Sequence, residues 1–118
     1  MAAPLEPELA GLLARASRSL RENRIDAALE DFRRVAEQRP DRPEGALGLA
    51  QAAFKTGNGR DVLLYAPQAI KADPHCLQAY ELLAIIGMHG GVADTAIGWL
   101  EIGAQTMPRE PLIFEWLT

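Results

Sequence analysis

Cysteine is nearly absent from this chain. Cys76 is the single thiol in 118 residues, which excludes an intrachain disulfide and agrees with a reducing compartment. An excess of positive charge is absent as well. Twelve Lys and Arg stand against 16 Asp and Glu, giving a formal net charge of −4 and a pI near 5.1. Nucleic-acid binding draws on clustered cations that displace counterions from phosphates, so no nucleic-acid partner is expected. Long apolar runs are missing too. Nothing approaches the roughly 18 apolar residues of a membrane span, and membrane insertion is not expected. Residues 1–13 lack both the basic start and the uninterrupted apolar stretch of a secretory leader. Together these absences make a cytoplasmic location the expectation.

The patterns that carry catalysis are scarce. His75, Cys76 and His89 are the two histidines and the one thiol. A zinc site needs about four ligands grouped in CxxC or HxxxH pairs, and neither pair occurs. His89 falls at a helix end, where a cation suits the dipole. His75 and Cys76 are adjacent, and adjacent side chains on a helix do not face each other, so Cys76 has no base placed to activate it. There is no serine elbow, phosphate-cradling loop or dinucleotide fingerprint. Gly57-Asn58-Gly59 lacks the strand-to-helix setting such a loop requires. The expectation is a chain with no catalysis of its own, no metal and no cofactor.

What the chain does have is a period. Pro40, Pro74 and Pro108 are spaced 34 residues apart. Asn23, Gly57 and Gly91 recur at the same step, and so do Ala16, Ala50 and Ala84. Each series has its own physical role. Proline cannot continue a helix interior and punctuates a join. Asn and Gly tolerate the left-handed backbone that closes a helix. Alanine lets two helices approach closely. Three roles in one register indicate stacked helix pairs, none of which can bury its apolar face alone.

Read in order, the chain predicts a first helix that Pro7 can open, with Leu9, Leu12, Leu13, Ala16 and Leu20 on one face, ending near Glu22. Its partner spans Ile25 to about Gln38 with Ala28, Leu29, Phe32, Val35 and Ala36 inward. Asp41-Arg42-Pro43-Glu44 reads as a capped helix start, with Asp41 as the cap and Glu44 three residues on. That helix runs to about Thr56. Its partner is expected over Asp61 to Ala72, interrupted by Pro67. A third pair is expected from about His75 to His89, stopping at Gly90-Gly91, and then from a cap at Asp94, with Ala96, Ile97, Leu100 and Ala104 inward.

This register resembles the tetratricopeptide repeat, roughly W-x2-L-G-x2-Y, then A-x3-F, then P, over about 34 residues. Ala28, Phe32 and Pro40 fit its second half in the first repeat. Ala46, Leu49, Ala50 and Ala53 follow in the second repeat, with Val62, Ala66 and Pro74. Tyr80, Leu83, Ala84 and Gly87 follow in the third, with Ala96, Leu100 and Pro108. Arg15 and Ser19 depart from the family's leucine and aromatic. The resemblance implies an all-α, right-handed α-solenoid of three antiparallel helix pairs with a C-terminal capping helix. A flexible lead-in covers 1–7 and a single repeat domain covers 8–118. Its repeats lie at about 9–42, 43–76 and 77–110, followed by a helix at 111–118.

The resemblance also implies a protein–protein scaffold or adaptor whose first helices line a concave groove for a peptide or helix of a partner. Carried onto this chain, the first repeat contributes Leu13, Ser17, Leu20 and Arg21. The second contributes Leu47, Gln51, Phe54 and Lys55, and the third Glu81, Ile85, Met88 and His89. Family members that grip chaperone C-terminal carboxylates use a Lys/Asn/Lys/Arg clamp. The matching positions here are Leu13, Ser17, Gly48, Gln78 and Leu82, which argues against that ligand. Similar repeats that read RNA rank lower because no phosphate track exists.

The final residues, with Phe114, Trp116 and Leu117, are a candidate surface for pairing with another copy. A self-assembling module is therefore an alternative reading. A further one is the N-terminal recruitment part of a larger enzyme or secretion protein. Residues 1–42 carry eight Arg and eight acids, whereas 77–118 carry Arg109 against five acids, an asymmetry that fits either head-to-tail contact or simply solvated faces.

Overall fold

The computed structural model describes residues 5–89 and 93–117, with backbone alone for His89, Ala93 and Phe114. The predicted stop at Gly90-Gly91 and the first four residues of the lead-in lie outside the described residues. Seven helices follow one another: α1 (Pro7–Arg21), α2 (Ile25–Gln38), α3 (Glu44–Lys55), α4 (Gly59–Ala72), α5 (Leu77–His89), α6 (Ala93–Thr106) and α7 (Pro111–Leu117). No strand occurs among the described residues.

The 34-residue series act where their chemistry predicts. Asn23, at φ 63°, is the left-handed residue after α1. The Arg24 N–H donates to the Ser19 carbonyl at 2.7 Å and the Asn23 N–H to the Leu20 carbonyl at 3.1 Å. One period later Gly57, at φ 75°, repeats the turn. There the Asn58 N–H donates to Ala53 and the Gly57 N–H to Phe54. Both are Schellman closures, which satisfy carbonyls left open by the helix end. The small residues Ala16, Ala50 and Ala84 are 0–5% exposed.

Within each pair α1 packs on α2, α3 on α4 and α5 on α6. Between pairs α2 meets α3 and α4 meets α5. First helices also touch first helices, α1 on α3 and α3 on α5. A body 19 Å thick is two helices deep. Buried side chains form two clusters. The smaller joins the first two pairs through Ala16, Ala28, Phe32 and Leu49. The larger runs from α3 to α7, with Tyr80, Leu83, Leu100 and Ile113 fully buried. Each such side chain contributes about 1.5–3 kcal/mol of apolar burial.

Two glycines set how closely α3 approaches α2. A Cβ on Gly45 would overlap the Ala36 backbone, and one on Gly48 the Phe32 ring. Gly103 serves the third pair similarly: a Cβ there would sit 3.0 Å from the Tyr80 ring and 3.2 Å from Ile113.

Several local expectations are corrected. Asp41 and Glu44 do not cap α3, whose start has no side-chain cap. Neighbouring guanidiniums take both carboxylates instead. Arg39 holds Asp41 through two hydrogen bonds, and Arg42 holds Glu44. Arg39 also donates to Glu6 at 2.9 Å, tying the start of α1 to the end of α2. The cap forms one helix later, where the Asn58 side chain accepts from the Asp61 N–H at 3.2 Å and donates to its carboxylate at 2.9 Å. Helix α4 therefore begins two residues before the expected start. It continues through Pro67, because Ala66, Ala69 and Ile70 are buried on either side and hold the backbone.

Helix α5 begins at Leu77 rather than His75, since the Asp73 carboxylate accepts the His75 N–H in a local turn. Asp94 lies in the first turn of α6 and does not precede it as a cap. Ile97 is 41% exposed, not inward. The inward stripe runs Ala96, Leu100, Gly103, and Ile97 lies about 100° of helix rotation away from Ala96.

Candidate binding surface

The first helices carry the candidate groove residues, and all those whose side chains are described retain solvent exposure. Leu13, Ser17, Leu20, Leu47, Gln51 and Ile85 are half-buried, while Arg21, Lys55 and Glu81 are exposed. Phe54 is 38% and Met88 75% exposed. The side chain of His89 lies outside the described residues. Leu13 and Leu20 also pack on the smaller core cluster and Leu47 on the larger. These three have a structural share in addition to any surface role.

One contact brings candidate residues of different repeats together. The Lys55 ammonium donates to the Leu20 carbonyl at 2.5 Å, linking the end of α3 to the end of α1. A cation at the carbonyl end of a helix is favoured by the dipole. Leu20, Phe54 and Met88 are themselves one period apart. Solvent-accessible apolar side chains, half-buried at Leu20 and exposed at Phe54 and Met88, therefore recur at equivalent places on three successive first helices.

Of the chaperone-clamp positions, Gly48 and Leu82 are buried. They face the core and not a ligand. The candidate self-association residues Trp116 and Leu117 are half-buried against the chain's own larger cluster. The Phe114 side chain lies outside the described residues. Cys76 is 7% exposed, and burial pushes its thiol above the ordinary range, which keeps it protonated.

The outer layer holds features the sequence reading missed. A trough between α2 and α4 has Leu49, Ala52 and Ala53 as its floor and Leu29, Arg33 and Tyr65 on its walls. A second cleft, of about 500 Å³, lies beside α1 and α2 and contains a bidentate ion pair. There Arg15 Nε and Nη2 donate to Asp31 at 2.7 and 2.8 Å. Asp31 is 4% exposed, whereas the Arg15 side chain is 61% exposed. The hydrogen bonds from Arg15 hold the Asp31 carboxyl below the usual carboxylate range. Arg15 thus departs from the apolar pattern because it pairs with a buried carboxylate. The available signal was Asp31 itself, an acid on the α1-facing side of α2 beside Ala28 and Phe32.

No helix among the described residues is long and apolar enough to cross a membrane. No curated protein matches the chain. The family model described as tetratricopeptide repeat matches residues 19–86, more than half of its length. With stacked helix pairs, Schellman turns one period apart and small residues at each crossing, the chain belongs to the tetratricopeptide repeat family.

Proposed function

We propose that this chain is a protein-interaction scaffold that holds a peptide or helix of a partner protein along α1, α3 and α5, with no catalysis of its own. Membership of a family of protein-binding repeats supports the class. The observation that carries the surface is the series Leu20, Phe54 and Met88. A folded chain forgoes stabilisation by leaving large apolar side chains in water. Phe54 and Met88 stay exposed at the same register position of successive repeats, with Leu20 half-buried one period before them. Ser17, Gln51, Arg21 and Lys55 give this stripe a polar border, the composition expected around a docking surface.

The test is selection of binders from a displayed random peptide library, followed by binding to the Phe54→Ala/Met88→Ala variant. Bound peptides should weaken at least tenfold, about 1.4 kcal/mol, with the helical circular dichroism signal retained. Peptides that bind the variant as well as the parent would remove the stripe from the reading.

A further inference from the structure

The charge beside this stripe, and the spacing of its rungs, narrow the ligand. We infer that the occupant of the α1–α3–α5 surface is an acidic amphipathic helix with apolar residues at heptad spacing. This inference rests on the proposed function and adds the chemistry of the partner.

The spacing comes first. Packed helices lie about 8–10 Å apart, axis to axis, and α1, α3 and α5 touch in succession. Leu20, Phe54 and Met88 therefore form rungs separated by roughly one interaxial distance, about 8–10 Å. In an extended strand, residues on one face repeat at about 6.7 or 13 Å, which misses the rungs. A polyproline II segment repeats at about 9.3 Å but docks in grooves lined by aromatic rings. Phe54 is the one aromatic residue among the proposed groove positions. A helix repeats a face every seven residues, about 10.5 Å. Leucine and methionine surfaces suit such a face because they repack against aliphatic side chains. Crossing three rungs takes two heptads, about 15 residues.

Charge supplies the second half. Arg21 and Lys55 each follow a rung by one residue, and both are exposed. The Lys55 ammonium already lies against the Leu20 carbonyl, which fixes it beside the first rung. An ammonium has three donors; with one on that carbonyl, two remain for a carboxylate outside. Glu81, the acidic residue among the groove positions, lies about two turns of α5 away from Met88. The rim nearest the rungs is thus cationic on a chain of net charge −4, and it complements acidic side chains flanking an apolar face.

The experiment pans a library of random 20-residue peptides on the purified chain. Each enriched peptide is then measured by fluorescence anisotropy against the parent, Phe54→Ala, Arg21→Glu/Lys55→Glu and Arg21→Lys/Lys55→Arg. The expected winners are net negative, carry apolar residues at i, i+7 and i+14, and lose affinity on Phe54→Ala. They also weaken about tenfold on the double Glu variant at low salt while retaining affinity for the charge-keeping variant. Winners that need Phe54 but are neutral or basic, or lack heptad spacing, overturn this inference and leave the scaffold reading standing. Winners indifferent to Phe54, or a library that does not enrich, overturn both. Circular dichroism of each variant confirms that the helices are intact.

Discussion

The two ends of this helical stack solve one problem with opposite chemistry. A solenoid leaves an open face at each end, and that face must be made compatible with water. Beside α7 it is covered by hydrocarbon: Ile113 is fully buried, and Trp116 and Leu117 pack on the same cluster as Tyr80 and Leu100. On α1 and α2 the outer side is polar, with the Arg15–Asp31 pair in an open cleft beside Ser19, Arg18 and Arg24. The register makes the comparison direct. Arg15, Leu49 and Leu83 are equivalent positions. Leu49 packs into the first pair and Leu83 into the larger cluster. On α1 the same position meets solvent, and an arginine can stand there.

The largest test removes the hydrocarbon cover. Ile113→Ala should cost about 2–4 kcal/mol, because the side chain fills space against Tyr80 and Gly103 that the backbone cannot close. Repeat arrays transmit stability mainly to neighbours. Hydrogen exchange should then show α5–α7 losing protection before α1–α2. Equal loss across all helices in urea would mean the ends are one cooperative unit and the comparison fails.

The next test converts the polar end into an apolar one. Arg15→Leu alone restores the family's residue but strands Asp31, 4% exposed, without its partner. Thermal denaturation should show a clear loss of Tm, and the Asp31 pKa should move from below to above its ordinary value. Adding Asp31→Leu should recover the stability, since apolar replacements for ion pairs are often neutral or better. The double variant then exposes an uncovered apolar face, so light scattering should show concentration-dependent association. A stable monomer would mean that polarity at this end has no role in keeping copies apart.

Trp116→Ala follows in size, at about 1–2 kcal/mol for a half-buried side chain. Its solution mass should match the parent's at every dilution, because the ring packs on its own chain. A parent mass of two chains, halved by this change, would assign α7 to an interface.

How far the sequence foretold these ends depends on the forces involved. The period, the helix pairs and the turns at Asn23 and Gly57 were legible because they rest on local backbone rules that hold wherever the chain goes. The cap at Asp41 was misread because Arg39 and Arg42 compete for the same carboxylates, and that choice depends on side-chain reach. The Arg15–Asp31 pair was missed because its partners are 16 residues apart and meet only after α1 and α2 pack. The close approach at Gly45 and Gly48 has the same cause. For the candidate surface, the register indicated which side of each first helix to consider, but Leu13, Leu20 and Leu47 also serve the core. Sequence spacing does not separate those two roles. The trough between α2 and α4 had no sequence signal, since it is a gap between helices rather than a property of one.

The smallest effect is also the one that separates the two ends most cleanly, because each has its own titrating group. The Asp31 carboxyl is held below its ordinary range, first by the hydrogen bonds from Arg15 and further by Arg34, against the opposing effect of burial. A lowered carboxyl contributes stability in full above the unfolded pKa, near 4. It loses that contribution as pH falls toward the folded value. At the other end the Tyr80 phenol is pushed up, chiefly by burial, and donates to the Pro74 carbonyl at 2.9 Å. A raised phenol stabilises in full below the unfolded pKa, near 10, and loses its contribution as pH rises through the folded value. Acid should therefore loosen α1–α2 first and alkali α5–α7 first, read by residue-resolved chemical shifts across both limbs. Asp41, held at about 2 by Arg39, and Glu44, lowered by Arg42, also add to the acid limb. Asp31→Asn must consequently flatten only the part of that limb carried by α1–α2, whereas Tyr80→Phe must leave it unchanged and flatten the alkaline limb except for the share carried by the buried Cys76 thiol, which is raised as well. A single transition shared by both ends at either extreme would show that the ion pair and the apolar cover are coupled through α3 and α4, against the separation drawn from their chemistry.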